Sequence, residues 1–326
     1  MYYSIQHITR FIYSTQISES LMEVRMKPRT EGVQRCLSFK LSVNPNSRIR
    51  EHRDYSGNAI HSFDIPGQHR QLALTASAIV ERATLPDLPD ALPISAWETL
   101  DHQIDEGDFW DTLIAGQFTE PTLLLEQLAN EINAAQRRND PLTMLRQINE
   151  TIYQAFDYDQ ETTNVDSVID SALKARKGVC QDFAHIMITL VRGLRIPCRY
   201  VSGYLFHRDN GYDRSVVDAT HAWVEAYLPD LGWVGFDPTN NTLAGERHIR
   251  VAIGRDYADA LPTKGVFKGK AETDLRVSVK VEQIDAPPLE EIDYTPMPEL
   301  LEIEKTDVEK EADQLLLIQQ QQQQQQ

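Results

Sequence analysis

The sequence has few cysteines, no long apolar run and far fewer basic than acidic side chains. Its three cysteines, Cys36, Cys180 and Cys198, are too few and too scattered for a disulfide scaffold. No run of 18 apolar residues occurs, and the N-terminus lacks a positive region followed by an unbroken apolar one. We therefore expect a cytoplasmic protein without a signal peptide or a membrane-spanning helix.

The charge balance argues against nucleic acid and anionic membranes as partners. The 326 residues carry a formal charge of −17, from 49 acidic and 32 basic side chains. Phosphate backbones and anionic lipids repel such a surface, so we predict neither as a partner. More than half of this charge belongs to residues 285–313, which limits what it says about the rest of the chain. The oligomeric state stays open.

The first 84 residues alternate between apolar and polar side chains, as half-buried strands do. Met22, Val24 and Met26 alternate with charged residues, and the run from Leu72 to Val80 repeats the pattern. Three prolines between residues 86 and 93 then break it, because proline fits neither a helix interior nor a central strand. We predict an antiparallel β domain over 1–84 and a proline-rich linker over 85–118.

The next segment, residues 119–284, changes to the helical period. Thr119-Glu120-Pro121 is typical of a helix start, and a later helix is predicted from Cys180 until Pro197 ends it. Strand-like runs follow, and the last alternates from Leu275 to Val281. We predict an α+β domain here, with helices first and an antiparallel sheet after them.

The C-terminal segment, residues 285–326, is acidic and ends in eight glutamines. Such a composition cannot bury enough apolar surface to offset chain entropy, so we predict a disordered tail. A short amphipathic helix over residues 300–317 that docks a partner is the alternative.

The stretch KGVCQDFAH places Cys180 where the predicted helix begins. Unpaired N–H groups at a helix N-terminus favour negative charge, and the thiolate is the nucleophilic form of cysteine. Gly178 permits a tight turn just before it, whereas the charge of Asp182 opposes a thiolate. On this motif alone the evidence for a nucleophile is weak, since free cysteines are usually buried and lone cysteines are more often packing residues.

The stretch DATHAWVEAYLPDLGWVGFDPTN supplies candidates for a base and an orienting acid. If residues 229–231 form the loop between two strands, Asp237 is the diagonal neighbour of His221 on one face of the sheet. A loop of four residues would put them on opposite faces. In the first register the carboxylate orients the imidazole, and with Cys180 the set becomes nucleophile, base and acid.

These motifs resemble the bacterial transglutaminase-like family of the papain-like cysteine enzymes. The matching stretches are GVCQDFAH, IPCRYVSGYLF, DATHAWVEAYLPDLGWVGFDPTN and HIRVAIGRDYADALPTKGVFKG, and YSIQHITRFIY resembles the β-rich N-terminal domain of that family. The resemblance covers about residues 1–284 and implies a transglutaminase-like catalytic domain. It also implies that Cys180, His221 and Asp237 occupy the triad positions, with Thr220 where serine is more common.

The resemblance implies cysteine-dependent acyl transfer on amide or peptide bonds through a thioester. The enzyme is then a peptidase, an amidase or an acyltransferase with a peptide, protein or amide substrate. Gln181, Trp223 and Arg255 are predicted substrate contacts, although Trp223 is also a candidate core aromatic and Arg255 a candidate internal ion pair. The alternative function is a non-catalytic scaffold or peptide-binding module that uses the same cleft.

No metal and no cofactor are predicted. A zinc site would need Cys180, Cys198 and His221, and the sequence has no close Cys-x-x-Cys pair. Cys198 follows a proline and is predicted to pack at the start of a strand.

Overall fold

The computed structural model describes residues 1–160, 162, 168–208, 211 and 213–287. The predicted α+β class with an antiparallel N-terminal part is confirmed. Most of the predicted tail, including the alternative helix over 300–317, lies outside the described residues. No helix in the described ranges is both long enough and apolar enough to cross a bilayer.

The N-terminal region is built from six strands, of which the first two bury alternate side chains along most of their length. They are β1 (Tyr2–Ile17), β2 (Glu19–Val24), β3 (Gln34–Asn44), β4 (Arg50–Arg53), β5 (Ala59–Ile65) and β6 (His69–Arg82). These strands belong to two antiparallel sheets that share one apolar core, in which Met22, Phe63 and Leu72 are buried. The alternation seen in the sequence therefore reflects burial of one face of each sheet.

Helices and two short strands come next in the chain. They are α1 (Ala96–Glu106), α2 (Trp110–Leu113), α3 (Leu123–Glu131), α4 (Pro141–Ala155), β7 (Asp157–Tyr158), α5 (Ile169–Ala175), β8 (Lys177–Gly178) and α6 (Cys180–Gly193). Helix α4 starts with the side chain of Asp140 accepting hydrogen bonds from two backbone N–H groups and with proline at its first position. Helix α6 is buried along most of its length.

A five-stranded antiparallel sheet carries these helices on one face. Its strands are β9 (Cys198–Leu205), β10 (His221–Leu228), β11 (Gly232–Asp237), β12 (Thr242–Leu243) and β13 (His248–Gly254), in the spatial order β12-β11-β10-β9-β13. Ala222, Val224 and Leu228 belong to the core shared with α6. The alternate residues of β10, from His221 onward, therefore lie on the opposite face of the sheet.

Two placements differ from the sequence prediction. After α7 (Tyr257–Ala260), strands β14 (Thr263–Lys268) and β15 (Thr273–Ile284) do not extend the second sheet. They pair with β2 and β1, and so complete the two N-terminal sheets. In addition, α1 lies inside the predicted linker and packs in the core of the helical region. An alternating pattern predicts a strand but does not name its partner, and the helix begins only once the prolines have passed.

Candidate active site

Cys180 is the first residue of α6, as the sequence predicted. Asp182 accepts a hydrogen bond from the backbone N–H of Val179 at 2.9 Å, so its carboxylate caps the helix start. A Cβ at position 178 would lie 2.6 Å from Oδ2 of Asp182, which explains the glycine there. Cys180 is partly exposed, whereas Cys198 is fully buried in the core.

The β10–β11 hairpin has the predicted register. Leu228 pairs with Gly232, so the loop has three residues, and Asp230 and Gly232 adopt left-handed backbone conformations with φ of 62° and 69°. His221 and Asp237 consequently lie on one face, with Nε2 of the ring 2.7 Å from Oδ2 of the carboxylate. Both side chains are buried, with 2% and 0% of their surface exposed.

The carboxylate of Asp237 is surrounded by hydrogen-bond donors. Its Oδ2 accepts from His221, from Nδ2 of Asn240 at 2.8 Å and from Nε2 of His248 at 3.1 Å. Its Oδ1 accepts from the backbone N–H groups of Thr239 and Asn240 at 3.0 and 3.2 Å. Although burial opposes ionisation, the nearby His221 and these bonds hold the pKa of Asp237 far below its usual range.

The same ion pair acts in the opposite direction on the imidazole. Burial alone lowers the pKa of His221, because a charged ring loses its hydration. The charge and hydrogen bond of Asp237, together with the nearby Cys180, outweigh burial and raise the pKa of His221 to about 10. The ring is therefore cationic near neutral pH.

The second ring nitrogen of His221, Nδ1, does not take part in the bond to Asp237. It is buried and has no partner at regular hydrogen-bond geometry within the described part of the chain. The side chain of Cys180 is nevertheless close enough to act on the ring and raise its pKa. The structure thus brings Cys180, His221 and Asp237 together.

Two family profiles match the chain. The "Transglutaminase-like superfamily" profile covers residues 126–238, which include all three of these side chains, and the "Bacterial transglutaminase-like N-terminal region" profile covers residues 3–81. An uncharacterised protein of Mycobacterium tuberculosis (strain H37Rv) is 32% identical over 293 residues, which span 86% of this chain and 92% of the relative. The chain belongs to the transglutaminase-like superfamily.

Other similar proteins are consistent with membership in this superfamily. An uncharacterised protein of Mycobacterium leprae is 31% identical over 281 residues, 86% of this chain and 98% of the relative. The protein-glutamine gamma-glutamyltransferase of Pseudomonas aeruginosa is 29% identical over 154 residues, 45% of this chain and 22% of that protein. A crystal structure of a candidate cysteine protease from Cytophaga hutchinsonii has a TM-score of 0.66 at 23% identity, covering 88% of this chain and 93% of that one, and shows the shared fold.

The structure brings two of the three predicted substrate contacts of this transglutaminase-like protein near the triad. Gln181 follows Cys180 in the first turn of α6, but it is largely buried. Trp223 is fully buried, and its indole stacks on His221 with 6.1 Å between ring centroids. Its Nε1 has no hydrogen-bond partner among the described residues. As substrate contacts these two residues stay predictions.

Arg255 is not brought to the triad. Arg255 directly follows β13. Measured along the neighbouring strand β9, it lies four residues from the position that pairs with His221, a distance of roughly 13 Å. Its guanidinium pairs with Asp259 at 2.8 Å, the internal ion pair that the sequence offered as the alternative. Arg255 lines a separate cavity of about 870 Å³, together with Trp233 and Arg199.

His248 is the site residue that sequence reasoning missed. It lies within the quoted stretch HIRVAIGRDYADALPTKGVFKG, beyond the profile match at 126–238, and no local spacing connects it to Asp237. Its ring is buried and packs edge-on against Trp223 at 5.1 Å. A lone histidine at the start of a strand gives no signal of this role, because the contact depends on how β13 is placed beside β9.

The cluster of His221, Asp237 and His248 has ligand atoms close enough together to hold a metal ion. The hydrogen bonds do not fit that use, because both ring Nε2 atoms point their protons at one carboxylate oxygen. The zinc site considered from the sequence, with Cys180, Cys198 and His221 as ligands, does not fit either. The Cys198 sulfur lies in the core, 3.5 Å from the carbonyl oxygen of Ile188. Burial raises the pKa of Cys198 to about 11.

Proposed function

We propose that this chain is a cysteine-dependent acyl-transfer enzyme acting on amide or peptide bonds. Cys180 is the nucleophile, His221 the general acid and base, and Asp237 the orienting carboxylate. The observation that carries the proposal is the orientation of the His221 ring. Its Nε2 is bound to Asp237 at 2.7 Å, so Nδ1 is the nitrogen that is available to exchange a proton at Cys180. Membership in the transglutaminase-like superfamily supports it.

In the first half-reaction the sulfur attacks the carbonyl carbon of the substrate. The attacking form of Cys180 is the thiolate, and the cationic His221 ring beside it carries the proton that the leaving group needs. As the C–S bond forms, the C–N bond breaks, and Nδ1 of His221 gives its proton to the departing amine. The product is a thioester on Cys180, and the imidazole is left neutral.

In the second half-reaction the acceptor restores the enzyme. The neutral His221 takes a proton from water or from an amine, which attacks the thioester carbonyl. The new C–O or C–N bond forms, the C–S bond breaks, and the thiolate and imidazolium are regenerated. Water makes the enzyme a peptidase or amidase, and an amine makes it an acyltransferase.

The helix start supplies a donor for the negative oxygen of the tetrahedral intermediate. Because Cys180 is the first residue of α6, its backbone N–H has no acceptor within the helix. Such a group, aimed at developing charge in a partly buried site, contributes to catalysis in acyl transfer.

Thiol labelling near neutral pH tests whether Cys180 is activated. Burial raises the pKa of both Cys36 and Cys198 to about 11, so iodoacetamide should modify these two thiols slowly. Rapid labelling confined to Cys180 is expected, and His221→Asn should slow it. Slow labelling of all three cysteines at similar rates would instead favour the non-catalytic binding module.

A substrate screen tests the reaction itself. Peptide and protein libraries are incubated with and without added amines, and mass spectrometry detects new chain ends, deamidation or amine adducts. Cys180→Ala should lower turnover by roughly 10⁴-fold or more, and Cys36→Ala is the matched control with full activity. Products that form equally with Cys180→Ala would contradict the proposal.

A further inference from the structure

The second histidine on the Asp237 carboxylate has a defined tautomer. Nδ1 of His248 accepts a hydrogen bond from the backbone N–H of Gly245 at 3.2 Å, so this nitrogen carries a lone pair. The proton of the neutral ring therefore lies on Nε2, from which it is donated to Oδ2 of Asp237 at 3.1 Å. His248 acts as a fixed donor toward the oxygen that also holds His221.

The N-terminal region reaches this histidine through Arg82, the last residue of β6. The Arg82 side chain is buried, and its Nη2 donates to the carbonyl oxygen of Gly245 at 2.8 Å. The backbone of Arg82 is itself tied to Met1, since its carbonyl accepts from the N-terminal ammonium at 2.8 Å. Gly245 thus joins the N-terminal region to His248, because its carbonyl oxygen binds Arg82 and its N–H binds His248.

The strand that carries His248 is also held by the N-terminal region. β13 is an edge strand, and two amide side chains hydrogen-bond to its backbone in the way that a neighbouring strand does. Gln34 donates to the carbonyl of Arg250 and accepts from its N–H, both at 2.8 Å. Asn58 makes the same two bonds to Ile253, at 2.7 and 2.9 Å.

We propose that His248 is a positioning residue for the triad, and that the N-terminal β domain fixes it through Arg82 and Gly245. The hydrogen-bonded series runs from Arg82 to Gly245, His248, Asp237 and His221, with donor–acceptor distances between 2.7 and 3.2 Å. Without the His248 donor, the Oδ2 atom that orients His221 loses one of the three partners that it has among the described residues. This inference rests on the proposed function, because it concerns the same triad.

The His248 series of variants tests this role. His248→Phe keeps a flat ring without a donor, and His248→Gln keeps an N–H donor near the position of Nε2. We expect His248→Phe to slow iodoacetamide labelling of Cys180 by about 10- to 100-fold, the range for loss of a hydrogen bond to a charged group. His248→Gln should recover most of that rate.

A proton NMR spectrum gives a readout that packing alone would not move. The Nε2–H proton of His221, bonded to a buried carboxylate, should give a low-field resonance that His221→Asn removes. His248→Phe should shift or broaden this resonance, and His248→Gln should restore it, in proteins of equal melting temperature. An unchanged resonance and labelling rate in folded His248→Phe would overturn the proposal.

Variants of Arg82 keep the test open if His248→Phe does not fold. Arg82→Met removes the donor to Gly245 and Arg82→Lys retains one, so only the first should disturb the His221 resonance. Wild-type behaviour of folded Arg82→Met would overturn the part assigned to the N-terminal domain. The resonance is measured without substrate, so these outcomes do not depend on whether the chain is an enzyme. The proposed function is tested separately, and it would be refuted if Cys180→Ala kept its turnover.

Discussion

Replacing Asp237 by asparagine removes the charge that makes the His221 ring cationic. The variant keeps nearly the same volume, so the buried site needs no repacking. It cannot keep all of the hydrogen bonds, because donors surround both carboxylate oxygens and an amide offers only one acceptor oxygen. We expect Asp237→Asn to lower the free energy of unfolding by about 1–3 kcal/mol for each buried donor left without an acceptor.

The larger effect is on the pKa of His221. Burial lowers this pKa, and Asp237 is the main group that raises it to about 10. Once the carboxylate is gone, burial dominates and the pKa should fall to its ordinary value of about 6.5 or below. At pH 8 the cationic fraction of the ring would drop from roughly 99% to roughly 3% or less. The ring would then no longer place a positive charge beside Cys180.

Titration of the histidine ring protons by NMR measures this shift directly. The chain has nine histidines, so the His221 signal is assigned by its disappearance in His221→Asn. Asp259→Asn is the matched control, since it removes a carboxylate that pairs with Arg255 at 2.8 Å, away from the triad. A His221 pKa that stays near 10 in folded Asp237→Asn would refute the electrostatic reasoning.

Three further predictions concern a close contact, pH and the distant arginine. Gly203→Ala should lower the free energy of unfolding, measured in urea, by at least about 1 to 3 kcal/mol, because a Cβ there would overlap the carbonyl oxygen of Ile249 and lie 2.7 Å from the Trp223 ring. Gly193→Ala is the control, because the space around that position is open. Since the folded pKa of His221 exceeds its unfolded value, its contribution to stability is complete below about pH 6.5 and is lost as pH rises toward 10, by up to roughly 5 kcal/mol. Unfolding free energies that stay flat over this range would contradict that contribution. Arg255→Ala should leave both the Cys180 labelling rate and the turnover unchanged, because Arg255 pairs with Asp259 away from the triad. A loss of turnover in this variant would show that Arg255 contacts the substrate after all.

The sequence predicted the parts of the site that depend on local geometry. A helix start is determined by nearby residues, so the position of Cys180 could be inferred from a glycine and a change of hydrophobic period. The face shared by His221 and Asp237 depends on one loop length, and Asp230 and Gly232 supply the left-handed conformations that this loop requires. Predicting the hairpin therefore required only a decision between a three-residue and a four-residue loop.

The sequence could not predict contacts that join distant parts of the chain. The alternation in β15 indicates a strand, but an alternating strand can join the edge of either sheet. Its actual partner is β1, and Val279 faces a core that includes Tyr3 and Tyr204. The role of His248 depends in the same way on the placement of β13. Edge strands and the residues they carry were the elements that local patterns left undetermined.

Strands β14 and β15 return to the N-terminal sheets and so join those sheets to the part of the chain that carries Cys180, His221 and Asp237. Residues 85–287 alone would leave both strands without β2 and β1, and would lack Arg82, Gln34 and Asn58, which bond to the segment from Gly245 to Ile253. Unpaired edges promote association, so we expect this fragment to be insoluble or aggregated, and co-expression with residues 1–84 to restore solubility. Size-exclusion chromatography and Cys180 labelling of both preparations measure this. A monomeric fragment with the wild-type labelling rate would show instead that the triad holds its geometry without the N-terminal sheets.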